Sequence, residues 1–180
     1  LTVGHSSDTA TQHDRVTHVW EHTLRPYIST YFSQNPKLPL LDYGCGVGRF
    51  TTLLRNPIGV DPTESLLQIA REKNPDVNFI HMTEPPKIPL GHESVEGVLC
   101  VTVLQHLTAP LLLERSILEI SRVMAKHAHI ILVENTSRFP NQQHIHFRSK
   151  SDYTAAFKEC KVLLHPMDKL YDSQGEEHTL

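Results

Sequence analysis

Three glycines at alternate positions lie in the segment Asp42–Gly48, directly after a short apolar run. Glycine allows a backbone to turn tightly and to approach a ligand without a Cβ collision. A dinucleotide-binding loop spaces its glycines as GxGxxG, with a later glycine packing a helix beside a pyrophosphate. The spacing here is GxGxG, with an acid two residues before the first glycine. It therefore favours a ligand without phosphates.

A second carboxylate, Asp61, ends the next apolar run, thirteen residues after Gly48. A carboxylate at the end of the second strand can accept hydrogen bonds from both hydroxyls of an adenosine ribose. The alternative is a glycine turn before a helix, with Asp61 only capping a helix that starts at Thr63. Because the loop, the strand and the carboxylate agree, we expect an adenosyl group to bind here.

Short apolar runs alternate with amphipathic stretches, which indicates βαβ units and a mostly parallel sheet. The predicted strands are 38–43, 57–61, 77–82, 95–103, 128–134 and 162–165, and the predicted helices are 13–32, 49–55, 63–73, 109–124 and 150–160. Residues 2–12 are expected to form a mobile polar arm, and Pro26 to kink or divide the first helix. The sequence therefore predicts a doubly wound, Rossmann-like α/β sandwich of about seven strands with helices on both faces.

The composition excludes several classes of protein. The 180 residues are 39% apolar and 21% charged, as in a globular domain. A net charge of -3 argues against a nucleic-acid partner held mainly by its phosphates. Three cysteines without CxxC spacing predict neither disulfides nor zinc, so a reducing cytoplasm is the expected compartment. No apolar run reaches the ~20 residues of a membrane span, and no signal peptide is recognisable at the start.

These residues resemble the motifs of class I S-adenosylmethionine-dependent methyltransferases. Leu40–Phe50 resembles the first motif and Ile58–Pro62 the second. Ile88–Val98 and Val103–Leu107 look like the segments that enter and leave the fourth strand. The resemblance covers about residues 38–160, and its first motif is the most specific part. It implies S-adenosylmethionine as cofactor, S-adenosylhomocysteine as product, and no metal.

The resemblance also implies which residues hold the cofactor. Gly44, Cys45 and Gly46 would line its methionine and ribose portions, with Asp61 on the ribose hydroxyls and Pro62 on the adenine. The complete implied set is Asp42, Gly44, Cys45, Gly46, Gly48, Asp61, Pro62, Thr83, Glu84 and Val101. Two departures are visible: the usual acid after the third strand is Glu84 or is replaced by Thr83, and Glu96 stands for the usual Asp of the fourth strand.

A sulfonium methyl is already activated, so the main task is to align a nucleophile with it, which can contribute about 7–11 kcal/mol. A general base adds ~10²–10⁴-fold when the acceptor holds a proton. His106, just after the fourth predicted strand, is the candidate base. Glu134, which ends the fifth, could orient an amine or hydroxyl. The alternatives are a structural hydrogen bond for His106 and a capping role for Glu134.

The polar segment 135–149 could cover the substrate, with His144, His146 and Arg148 as candidate substrate contacts. A His-x-His pair could also bind a metal, but no third ligand is evident, so no metal site is predicted. Arg148 could meet an acidic substrate, and the alternative is a solvated side chain.

Residues 1–37 are interpreted as an N-terminal arm and lid helix, and residues 38–180 as the cofactor-binding part of a single domain. Three aromatic side chains of that helix, Trp20, Tyr27 and Tyr31, are expected to form a packing face. The functional alternative is a lid over the cofactor.

The sequence as a whole predicts an enzyme that moves a methyl group to an oxygen or nitrogen atom of a small-molecule or glycan-like acceptor. An Asp-Pro-Pro-Tyr-like tetrapeptide and a Pro-Cys nucleophile are missing, which argues against methylation of DNA bases. The alternative is a non-catalytic cofactor-binding module or a subunit of a larger protein. A nicotinamide oxidoreductase is disfavoured by the GxGxG spacing and the missing Tyr-x-x-x-Lys. The acceptor and the oligomeric state stay open.

Overall fold

The main feature of the fold is a five-stranded parallel sheet. The computed structural model describes residues 6–32, 37–136, 144–158, 169–171 and 177–179. Its elements are α1 (Ser6–Tyr31), β1 (Leu40–Tyr43), β2 (Pro57–Asp61), α2 (Glu64–Lys73), β3 (Asn78–His81), β4 (Val95–Val101), α3 (Pro110–Val123), β5 (Met124–Val133), α4 (Lys150–Ala156), β6 (Lys169–Tyr171) and β7 (Glu177–Thr179), with 3₁₀ turns at Thr51–Leu53 and Leu104–His106.

The strand order of the main sheet is β3-β2-β1-β4-β5, and all its pairs are parallel. Strands β6 and β7 pair with each other in antiparallel fashion. The chain runs outward from β1 to β3 and then crosses to β4 on the other side of β1. Ligands of open parallel sheets bind outside the strand ends at such a reversal. The predicted fold class is confirmed, and its binding edge lies after Tyr43 and Val101.

Helices cover both faces of the sheet, because neighbouring strand residues point to opposite sides. On one face, Leu24 and Ile28 of α1 and Phe32 directly after it pack on the sheet, where they meet Leu40, Leu99 and Ile131. α2 lies on the same face, where Leu67 and Ala70 pack with Phe79. On the opposite face, α3 contributes Leu113, Ile117, Ile120 and Val123 to a core with Leu41, Val98 and Cys100. Within the described part, no helix is long and apolar enough to span a membrane.

The N-terminal helix is longer than its sequence pattern indicates. It begins at Ser6, so the polar arm expected over residues 2–12 is wrong from residue 6 onward, and residues 2–5 lie outside the described residues. Neither Gly nor Pro interrupts residues 6–25. The helix is not divided at Pro26. Leu24 and Ile28, on either side of it, are 0% and 9% exposed, and their burial, about 1.5–3 kcal/mol each, offsets the cost of the proline.

Other boundaries also differ from the predicted ones. The helix expected over 49–55 is only the 3₁₀ turn Thr51–Leu53, since Pro57 disfavours helical backbone at the residue before it. β5 begins at Met124 instead of 128, and its register against β4 shifts between Val95 and Gly97. α4 ends at Ala156, and the strand predicted over 162–165 lies outside the described residues.

Candidate active site

The glycine loop after β1 is built on left-handed backbone. Gly44, Gly46 and Gly48 have φ angles of 72°, 53° and 75°, which side chains rarely tolerate. A Cβ on Gly44 would lie 2.4 Å from a Val103 methyl, and one on Gly48 would lie 2.8 Å from the ring of Phe79. A Cβ on Gly46 would meet no atom within 4 Å. The outer glycines therefore serve packing, and the middle glycine faces open space where a ligand can approach.

The loop uses its own N–H groups internally. Gly44 and Cys45 donate to the Val60 carbonyl at 2.8 and 3.1 Å, and Gly48 donates to the Cys45 carbonyl at 2.9 Å. A pyrophosphate site needs free N–H groups at the start of a helix. The element after this loop is only the three-residue turn Thr51–Leu53. The loop is therefore poorly suited to phosphates.

Asp61, at the end of β2, joins the loop to the neighbouring elements. Its Oδ2 accepts the Gly46 N–H at 2.9 Å, and its Oδ1 accepts the Thr63 N–H at 2.8 Å. Its carbonyl accepts the Met82 N–H at 3.0 Å, which draws the segment after β3 alongside. A carboxylate oxygen has two lone pairs, so each oxygen can still accept a second donor such as a ribose hydroxyl.

Asp42 holds the loop from inside. The buried Thr51 hydroxyl donates to its Oδ2 at 2.5 Å, and Asp42 is 3% exposed. Burial raises the pKa of Asp42 to about 7; the Thr51 hydrogen bond opposes this shift and the nearby Asp61 adds to it. Asp42 therefore connects the end of β1 to the turn after the glycines.

Residues 103–107, called here the 103–107 turn, follow β4 and lie against the glycine loop, since Val103 packs on Gly44. The turn carries His106, whose side chain is exposed. His106 Nδ1 lies 2.9 Å from the His144 carbonyl, and its Nε2 lies 3.4 Å from Gln105 Nε2. Because a carbonyl can only accept, the neutral ring carries its proton on Nδ1 and a lone pair on Nε2.

Comparison with protein families identifies this arrangement. The family model described as "Methyltransferase domain" matches residues 41–132, which is more than half of the chain. The chain belongs to this methyltransferase family. The predicted class I S-adenosylmethionine-dependent methyltransferase family and the prediction of an enzyme are therefore confirmed.

Several solved structures share the fold of this methyltransferase. DesVI of Streptomyces venezuelae is 14% identical with a TM-score of 0.72, covering 98% of this chain and 97% of its own. The PH0226 protein of Pyrococcus horikoshii OT3 is 22% identical with a TM-score of 0.68, covering 79% and 80%. An S-adenosylmethionine-dependent methyltransferase of Aquifex aeolicus is 17% identical with a TM-score of 0.59, covering 81% and 87%. No curated protein matches the sequence.

The other implied cofactor residues lie on neighbouring strand ends of the methyltransferase. Pro62 follows β2, and Val101 ends β4. Thr83 and Glu84 follow β3 and are exposed, and the Glu84 carboxylate lies 3.4 Å from Lys87 Nζ. The structure thus gathers all of them at the binding edge of the sheet. Their contacts with the cofactor stay predictions.

The Cys45 side chain points into the protein core. It is 8% exposed and packs with Leu67, Ala70 and Phe79. Burial is the main cause that raises the pKa of its thiol well above the ordinary value. Cys45 therefore stays a neutral thiol at physiological pH, and its backbone alone is placed to contact a ligand.

The candidate substrate residues lie in the segment 144–148. His144 is exposed and offers its carbonyl to His106. His146 and Arg148 border a cavity of about 260 Å³, whose other lining residues are Pro110, Leu113, Glu114, Ile117 and Ala156. Loop 44–48 does not line this cavity. The alternative that the Arg148 side chain is solvated is wrong, because Arg148 is only 7% exposed. Among the described side chains, no group of three or more His, Cys, Asp or Glu could hold a metal.

Glu134 also points inward. Burial raises its pKa to about 7, and N–H groups of the 103–107 turn counteract the shift. Its described hydrogen bonds cap the turn thirty residues earlier, whereas the alternative above placed its cap on the residues that follow it. Its predicted contact with an acceptor stays a prediction.

Sequence reasoning missed four residues that support the site. Thr51 donates a hydrogen bond to Asp42. The Gln105 side-chain oxygen accepts the Asn135 N–H at 3.2 Å, which joins the 103–107 turn to the segment after β5. Arg55 and the buried Glu96 form an ion pair between the segment after the loop and β4. Only Glu96 gave a signal in the sequence, where it stands for the usual Asp of the fourth strand.

The stability of the methyltransferase is expected to fall as the pH rises from about 4 to about 7. Asp42 has a pKa of about 7 when folded against an ordinary value of 3.8, so in this window the folded state holds a proton that the unfolded state has lost. The free energy of unfolding then decreases by up to about 1.4 kcal/mol per pH unit and levels off above the folded pKa. Denaturant unfolding at several pH values between about 4 and about 8 measures this slope and its levelling.

Asp42→Asn keeps the shape and an oxygen for Thr51 but cannot ionise, so its slope should be shallower. Part of the slope should remain in Asp42→Asn, because the pKa of Glu134 is also raised and contributes with the same sign. The exposed Asp76→Asn should behave like the wild type. Equal slopes for Asp42→Asn and the wild type would contradict the assignment.

Proposed function

We propose that this enzyme transfers the methyl group of S-adenosylmethionine to an oxygen or nitrogen atom of a small molecule, glycan-like acceptors included. The observation that carries the cofactor assignment is the bond between Asp61 and the Gly46 N–H. This bond joins the glycine loop, which has few free N–H groups for a phosphate, to Asp61. The Asp61 carboxylate can still accept hydrogen bonds from ribose hydroxyls.

The charge of the site suits this cofactor. Asp42 and Asp61 lie near enough for Asp61 to raise the pKa of Asp42. A ligand that carries a sulfonium cation relieves this repulsion, whereas a dinucleotide brings further negative charge. When bound, the cofactor supplies an activated methyl: the acceptor lone pair attacks the methyl carbon, and the sulfur–carbon bond electrons pass to sulfur.

His106 supplies the proton chemistry in this proposal. Its Nε2 has a lone pair, and the ring lies on the turn that packs against the cofactor loop. Nε2 takes the proton that a hydroxyl or ammonium acceptor must lose and later releases it to water. This role fits acceptors that hold a proton at neutral pH, where a base contributes ~10²–10⁴-fold.

The acceptor side is expected on the segment 144–148, where His144 and His146 are the candidate contacts. A net charge of -3 supports a small molecule as partner and gives no sign of nucleic acid. The free, buried thiols of Cys45 and Cys100 agree with the reducing cytoplasm expected from the sequence.

Calorimetric titration with S-adenosylmethionine, S-adenosylhomocysteine and NAD tests the cofactor assignment. The first two should bind, and NAD should give no heat of binding. Turnover of a panel of small hydroxyl and amine acceptors then identifies the reaction. Binding of NAD alone would refute the proposal, and cofactor binding without turnover of any acceptor would favour a non-catalytic module.

His106→Gln tests the base. It should lower turnover by ~10²-fold or more while the affinity for S-adenosylmethionine stays at the wild-type value. The exposed His92→Gln is the matched control and should retain full turnover. Undiminished turnover by His106→Gln would exclude His106 as the base and leave the cofactor assignment intact.

A further inference from the structure

The start of the 103–107 turn is held by one carboxylate. Glu134 accepts the N–H groups of Val103, Leu104 and Gln105 at 3.0, 2.7 and 3.0 Å. These donors stand at the start of a 3₁₀ turn and find no partner inside it, and Glu134 satisfies all three. Three hydrogen bonds accepted by one carboxyl group fix the turn firmly to the end of β5.

The end of the same turn is held by one guanidinium. Arg148 donates to the Leu104 carbonyl at 2.9 Å and to the Leu107 carbonyl at 2.6 Å. It is 7% exposed, so water competes little for its donors. The planar fork of an arginine matches two carbonyls at once, which a lysine ammonium does less well. The turn is thus held at both ends by side chains from two separate segments.

Both attachments affect the position of His106, which lies on this turn. Its Nδ1–H donates to the His144 carbonyl, and the segment that carries this carbonyl is tied back to the turn. The ties are Arg148 and the His146 N–H, which donates to the Gln105 carbonyl at 2.8 Å. Free histidine prefers its proton on Nε2. The protein therefore imposes the opposite tautomer, and the imposed form leaves Nε2 as the basic atom.

We propose that Glu134 and Arg148 are positioning residues that keep the proton of His106 on Nδ1 and direct its Nε2 to the methyl acceptor. The proposal rests on the proposed function, because it takes Nε2 as the atom that receives the acceptor proton. Both residues act through the backbone of the 103–107 turn and the His144 carbonyl. Neither needs to contact the acceptor in this role.

Nuclear magnetic resonance of ¹⁵N-histidine-labelled protein tests the proposal without cofactor or acceptor. The ring nitrogens of His106, assigned by their loss in His106→Gln, should show the Nδ1–H tautomer in the wild type. Arg148→Met and Glu134→Gln should shift the tautomer equilibrium of the His106 ring toward the Nε2–H form. Arg115→Met removes an exposed arginine of α3 and should leave the spectrum of His106 unchanged.

A wild-type tautomer in folded Arg148→Met would overturn the positioning role of Arg148. If this variant does not fold, Arg148→Lys and Glu134→Gln decide, and a wild-type tautomer in both would overturn the proposal. Arg148→Lys should give a mixture, because one ammonium spans two carbonyls poorly. Absent S-adenosylmethionine binding would refute the proposed function but leave this measurement valid. An unchanged tautomer with normal cofactor binding would refute only the positioning role.

Discussion

Asp61→Ala is expected to weaken the binding of S-adenosylmethionine and S-adenosylhomocysteine by about 10- to 100-fold. The variant loses the carboxylate that we assign to the ribose hydroxyls, and a hydrogen bond to a charged group contributes about 1.5–3 kcal/mol. It also releases the Gly46 N–H, so the loop itself becomes less ordered. Calorimetric titration of both ligands gives the affinities directly.

Controls separate binding from folding in this experiment. Asp61→Asn keeps the size of the side chain and one acceptor oxygen, so it should be closer to the wild type in stability than Asp61→Ala. Asp76→Ala removes an exposed acid and should change neither stability nor affinity. If folded Asp61→Ala binds S-adenosylmethionine as the wild type does, the ribose assignment is wrong.

Gly46→Ala is expected to abolish cofactor binding while the protein still folds. The new methyl would point into space that is open for 4 Å in the protein. Its structural cost is the left-handed backbone at a φ of 53°, about 1–2 kcal/mol. The bound cofactor would have to occupy the same space, so titration should show no binding although thermal unfolding is shifted by only a few degrees.

Two other glycines serve as comparisons. Gly44→Ala should destabilise the fold more than Gly46→Ala, because its Cβ would lie 2.4 Å from a Val103 methyl. Gly91→Ala should resemble the wild type in both measurements, since its nearest neighbour would be the Ser94 Cβ at 3.8 Å. Normal cofactor affinity in Gly46→Ala would show that the ligand does not lie in front of this residue.

The cofactor edge could be predicted because its signal is local. The glycines and Asp61 stand at fixed positions after two short apolar runs, and the bond that unites them joins residues fifteen apart. The period of the apolar residues likewise indicated the parallel sheet. The length of α1 was underestimated because its first turns are polar and show no period, although they contain neither Gly nor Pro.

The supports of the 103–107 turn could not be predicted, because each joins distant parts of the chain. Arg148 binds a carbonyl forty-four residues away, and Glu134 binds an N–H twenty-nine residues away. No spacing rule applies over such separations, and an arginine is solvated in most cases. The pattern could suggest that His106 and Glu134 lie at one edge. It could not show which atoms face each other.

The strand order has a practical consequence for redesign of this enzyme. Everything assigned to the cofactor lies in or directly after β1, β2 or β3, or ends β4, whereas His106 and its supports follow β4 and β5. Substitutions of the exposed His144 and half-buried His146 side chains should therefore change which molecules are methylated without weakening the binding of the methyl donor. A mutational library aimed at new acceptors belongs at these two positions, with Arg148, 42–48 and 61–63 kept constant. The sheet thus separates the cofactor-binding residues, which must be kept, from the acceptor-side residues, which can be substituted.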